Sequence, residues 1–82
     1  MITGRIKSLD IAQRWAVITT PEGQDLTVSF PAGATIEVAE PETMGTVGGE
    51  LEDLQEGFFV EIEVASHEAD SHCACASLVC VS

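Results

Sequence analysis

Tyrosine is absent from this 82-residue chain, and one Trp and three Phe make up its whole aromatic content. With so few large anchors, Trp15, Phe58 and Phe59 are each expected to fill the core or plug its end before they serve a ligand. Basic residues are nearly as scarce. Arg5, Lys7 and Arg14 are the only three, against 14 Asp and Glu. Asp10, Glu22 and Asp25 balance them within the first thirty residues, so the whole net charge of −11 comes from residues 31–82. A field of that sign repels phosphate backbones and anionic membrane surfaces, and it favours solubility or a basic protein partner. No apolar run reaches membrane-spanning length, and no basic start followed by an apolar stretch marks a leader. A cytoplasmic protein without membrane contact is expected. Also missing are a Gly-rich phosphate loop, a nucleophile elbow and a separate Cys/His pair, and these absences point away from an enzyme.

Cysteine is sparse too. Cys73, Cys75 and Cys80 are odd in number and crowd into the last ten residues, a poor framework for a disulfide-held secreted domain, so reduced thiols are expected. The run His67-Glu68-Ala69-Asp70-Ser71-His72-Cys73-Ala74-Cys75 is nevertheless the one dense cluster of metal-ligand types. Thiolate and imidazole suit Zn²⁺ or Cu(I), and Cys73 and Cys75 share a face of a regular strand, with His72 within reach from the preceding turn. The spacing is not Cys-x-x-Cys and no second knuckle follows. The competing expectation is that these thiols pack as small apolar side chains and that the chain carries no cofactor. Acids such as Glu61 and Glu63 alternate along a strand, which reads as a wet face rather than an acid/base pair.

Helical periodicity is lacking as well, whereas short β-branched runs punctuated by Gly and Pro recur throughout. An all-β domain over residues 1–82 follows, its small size leaving little room for a deep cleft. Ile2 to about Ile11 places Ile2 and Ile6 on one face around Gly4, with Arg5 and Lys7 outward. Trp15–Thr20, the turn Pro21-Glu22-Gly23 and Leu26–Phe30 form a hairpin in which Leu26, Val28 and Phe30 point in and Thr27 and Ser29 face solvent. Thr35–Val38 reads as a short extra strand, and Glu40–Glu50 as a long, mobile, coreless loop. One helical turn from Leu51 tucks Leu51 and Leu54 against the core before Gly57 stops it. Val60, Ile62 and Val64 alternate with Glu61 and Glu63. A last strand from about Ala74 to Val81 is expected to turn Ala76, Val79 and Val81 inward, with a bulge near Ser77. Ile6, Val17, Ile18, Val28, Val60, Ile62 and Val79 are the expected core.

Two segments resemble the cold-shock domain, a five-stranded OB barrel that binds single-stranded nucleic acid. The first is Gly4-Arg5-Ile6-Lys7-Ser8-Leu9-Asp10 with Gln13–Thr19 and Leu26–Phe30. The second is Leu54-Gln55-Glu56-Gly57-Phe58-Phe59 running into Val60–Val64. The chain is equally similar to small bacterial OB-like domains of unknown function, through Thr35-Ile36, the turn Asp53–Gly57 and Ala76–Val81. Both resemblances imply a small OB-like barrel, here with an extra short strand and a long loop. That family binds by stacking bases on exposed aromatics, and the matching positions here hold Ser8, Val17, Thr27 and Ser29. Arg5, Lys7, Arg14 and Trp15 are what remains of such a face, so nucleic acid is not expected as a partner. The expectation is a non-enzymatic interaction module on an OB-like barrel, contacting a protein partner or a second copy of itself. A degenerate single-stranded nucleic-acid binder through Arg5, Lys7, Arg14 and Trp15 is the first alternative. A metal-binding accessory protein using His72, Cys73 and Cys75 is the second.

Overall fold

The computed structural model describes residues 1–40, 42–69 and 72–81, with backbone alone for 67–69. Seven strands form: β1 (Ile2–Asp10), β2 (Trp15–Thr19), β3 (Asp25–Ser29), β4 (Thr35–Glu40), β5 (Gly45–Gly49), β6 (Phe59–Ala69) and β7 (His72–Cys80). They hydrogen-bond in the order β3-β2-β1-β6-β7-β4-β5, and a parallel β3–β7 pairing closes five of them into a barrel. The result matches a small OB-like barrel carrying two further strands, β4 and β5. Among the described residues there is no α-helix, and no helix long and apolar enough to cross a membrane.

Alternation supplies the core. Ile6, Ile18, Val28, Phe30, Val60 and Ile62 are buried to 2% exposure or less. Gly4 sits where β1 crosses β2 so closely that a Cβ would meet the Thr19 carbonyl oxygen and come within 2.8 Å of Ile18 Cγ2. β1 then bulges, since Ile6 pairs with Ile18 and Ser8 with Val17, which leaves Lys7 as the extra residue. The bulge bends the strand and brings Leu9 round to the core side, three positions after Ile6. Gly23, with φ of +86°, completes the β2–β3 turn as its residue type requires.

Several expectations need correction. The expected loop over Glu40–Glu50 is in large part a strand: Gly45–Gly49 form β5, which pairs antiparallel with β4 from Ile36↔Gly49 to Glu40↔Gly45. Thr27 and Ser29 are half-buried rather than solvated, because the first part of β7 lies beside them and Ser29 Oγ donates to the Cys73 carbonyl at 3.4 Å. The bulge in the last strand is present, with Ala76 skipped between Ser77↔Glu63 and Cys75↔Val64, but the strand's phase is reversed. Cys73, Cys75, Leu78 and Cys80 point inward, while Ala76 and Val81 are exposed and Val79 is half-buried. Val17 is likewise half-buried on the outer face. The helical turn shrinks to a 3-10 turn at Leu51–Asp53, which reciprocal Glu50 and Asp53 bonds cap. It buries Leu51 and Leu54 as expected, but it ends at Asp53, and Gly57 (φ +93°) instead shapes the next turn.

Candidate interaction site

Three regions hold the residues that sequence reasoning singles out, beginning with the outer face of β1, β2 and β3. The registers Asp10↔Trp15↔Ser29 and Ser8↔Val17↔Thr27 place one aromatic among small and β-branched neighbours. Each cation nearby already has an intramolecular partner. Lys7 Nζ lies 2.7 Å from Asp25 Oδ2, and this bond, with a second from Thr19, holds the exposed Asp25 carboxyl below its usual range. Arg5 donates to the Gly57 carbonyl at 3.0 Å and stacks over the Phe59 ring at 5.6 Å. Arg14 has a positive φ of 60° and donates through Nε to the Phe30 carbonyl at 2.8 Å. The structure therefore distributes Arg5, Lys7, Arg14 and Trp15 over two strands and the turn between them, each tied into the barrel or half-buried in it.

The second region is the start of β7. Cys73 and Cys75 share the inward face and are 2% and 0% exposed. Burial, and then the nearby Cys73, push the Cys75 thiol up to about 12. Strand alternation sets the half-buried His72 on the opposite face. Asp70, Ser71 and the side chains of His67 and Glu68 lie outside the described residues. Among the described residues no three His, Cys, Asp or Glu side chains are grouped so as to hold a metal ion. Chemically, this is a strand of buried thiols packed with aliphatic neighbours.

Sequence reasoning missed the third region, because it depends on β5. β4 runs parallel to the end of β7, so Val38 lies beside Cys80, and β5 folds back along the other side of β4. Across from them Phe58 enters β6, and the Val81 N–H donates to the Phe59 carbonyl at 2.9 Å. Between these elements opens a groove of about 690 Å³, floored by Val38, Phe58 and Cys80. Met44, Val81 and the acidic Glu40 form its rim. Met44 is 93% exposed and has a φ of 61°, a left-handed conformation that costs a non-glycine residue about 1 kcal/mol. A large apolar side chain is thus held in water on strained backbone at the mouth of an apolar groove. Of the adjacent pair Phe58 and Phe59, the first lines this groove and the second carries Arg5. The signal available in sequence was Thr46-Val47, a β-branched pair that the surrounding glycines masked. No protein-family model matches the sequence, and no curated protein matches it either.

Proposed function

We propose that this protein is a non-enzymatic interaction module that holds a partner protein at the groove between the β4–β5 hairpin and the ends of β6 and β7. One observation carries the reading: the groove is open, lined chiefly by apolar side chains, and fronted by Met44 on strained backbone. A flexible, polarizable thioether suits a surface that adapts to an incoming side chain. The groove has the size class of small binding sites, yet its ionisable side chains are Glu40 at the rim and the buried thiol of Cys80 on the floor, with no His, Lys or Arg on its lining to activate that thiol. Acidic surroundings select a basic partner over nucleic acid or an anionic membrane.

Site-specific photo-crosslinking tests this directly. Benzoylphenylalanine replacing Met44 is expected to give protein adducts in producing cells, and Val81→Asp is expected to abolish them. The same probe at Gln13, exposed on the β1–β2 turn, serves as the comparison. Equal adducts from both positions, or adducts indifferent to Val81→Asp, would remove the groove from the account. A second reading, a degenerate cold-shock-like nucleic-acid binder, draws on the half-buried Trp15 beside Ser29 and Asp10 on the barrel's outer face. It has one aromatic and three already bonded cations to work with.

A further inference from the structure

β5 is the strand with a neighbour on one side only. Every other strand among the described residues has at least two, because β3 and β7 close the barrel and β4 lies between β7 and β5. The outer edge of β5 therefore presents backbone N–H and C=O groups to solvent. Its sequence, Gly-Thr-Val-Gly-Gly over 45–49, has none of the devices by which edges are usually blunted, neither Lys, nor Pro, nor an inward charge. Thr46, Val47 and Gly48 are exposed, Val47 to 48%. Such an edge is a template for a further strand.

Charge decides which strand. Glu40 and Glu42 precede β5, Glu50, Glu52 and Asp53 follow it, and Glu37 bonds Thr46 from β4, while no Lys or Arg occurs after Arg14, which shares a pocket with Glu50 but spends its Nε on the Phe30 carbonyl. A second copy added antiparallel about a two-fold axis at Thr46 would bring Glu42 towards Glu50 of the other chain. About an axis at Val47 it would bring Glu42 towards Glu52. Like charges placed opposite each other are destabilising in either register. A strand whose outward side chains are basic meets the opposite situation at both ends of β5.

We infer that the partner contributes an extended basic segment, which adds to the sheet as a strand along β5 with Lys or Arg towards the flanking acids. This rests on the reading of the protein as a protein-binding module and specifies the binding mode. Main-chain hydrogen bonds to β5 supply sequence-tolerant affinity, and the flanking acids select for charge.

The test measures fluorescence anisotropy with three labelled peptides of equal length: alternating Lys and Val, alternating Glu and Val, and the Lys/Val peptide N-methylated at alternate amides. The Lys/Val peptide is expected to bind and to weaken with salt, the Glu/Val peptide to fail, and the N-methylated peptide to lose at least about tenfold in affinity, or 1.4 kcal/mol. Successive residues of an edge strand point their N–H groups to opposite sides. Hence one of Thr46→Pro and Val47→Pro removes an outward donor while sparing the ladder to β4. That variant is expected to keep its melting temperature and lose binding. Equal binding of the N-methylated peptide would overturn strand addition while leaving the groove reading in place. Failure of all three peptides, together with crosslinks indifferent to Val81→Asp, would overturn both. A concentration-dependent dimer in sedimentation, dissolved by the same proline, would put a second copy on β5 and overturn the inference.

Discussion

Cys75 is a group whose ionisation the fold resists. Its thiol is pushed up to about 12 from an ordinary 9.0, chiefly by burial. Below pH 9 it is protonated whether the chain is folded or not, and contributes no pH dependence. Between about 9 and 12 the unfolded chain loses the proton while the folded one retains it, so stability falls as pH rises, by at most about 1.4 kcal/mol per pH unit. Thermal melts in this window are expected to show a declining midpoint that flattens in Cys75→Val, a substitution of similar size. An unchanged slope in the variant would remove Cys75 as its source. Gly4 makes a steric claim of the same precision. A Cβ there meets backbone at the Thr19 carbonyl, which cannot swing aside as a side-chain tip can. Gly4→Ala is expected to cost about 1–3 kcal/mol in denaturant unfolding, and a neutral result would contradict the close β1–β2 approach. A special role for this glycine was legible in the sequence as a bend between Ile2 and Ile6, whereas the close approach to Thr19 was not. The roles of Arg5 and Arg14 were not, since their acceptors are the carbonyls of Gly57 and Phe30, and backbone acceptors leave no trace in residue types.

At the scale of the element, β7 shows why alternation sometimes leaves a strand's phase open. Its two faces are both apolar, Ala76, Val79 and Val81 on one and Cys73, Cys75, Leu78 and Cys80 on the other. A period of two fixes which residues go together but not which set goes in. The barrel chooses the cysteine face because those thiols and Leu78 fill the interior opposite Val28, Val60 and Ile62. Leu78→Ala is accordingly expected to cost about 2–5 kcal/mol, whereas Ala76→Lys, at the exposed bulge, stays within about 0.5 kcal/mol. Comparable losses from the two would return β7 to the opposite phase. β6 was readable for the complementary reason: Glu61 and Glu63 mark its outer face unambiguously. β5 escaped notice because glycine-rich sequence signals turns, and what holds it extended is the β4 ladder, a tertiary cause.

For the whole molecule, charge and topology assign the two ends of the barrel different prospects. On the outer face of β1 to β3, Trp15 stands as the aromatic among small and β-branched neighbours, and Lys7 is occupied by Asp25. Each stacked base is worth about 1–3 kcal/mol, and the missing platform forfeits most of that. Labelled pyrimidine-rich and mixed single-stranded oligonucleotides are therefore expected to show no binding at micromolar protein and physiological salt. Low-micromolar affinity that falls with salt and disappears in Trp15→Ala or Lys7→Glu would favour the nucleic-acid reading. The hairpin end gathers the opposite features: an apolar groove, an unblunted strand edge and flanking acids that outnumber Arg14, the base sharing a pocket with Gly49 and Glu50. Amide chemical-shift mapping of isotope-labelled protein during titration with the alternating Lys/Val peptide compares the two ends in one measurement. Shifts concentrated at Met44 to Gly49, Phe58 and Val81, with Trp15, Val17 and Thr27 unmoved, are the predicted result. Shifts centred on Trp15, Val17 and Thr27, or none at any concentration the peptide reaches, would contradict it.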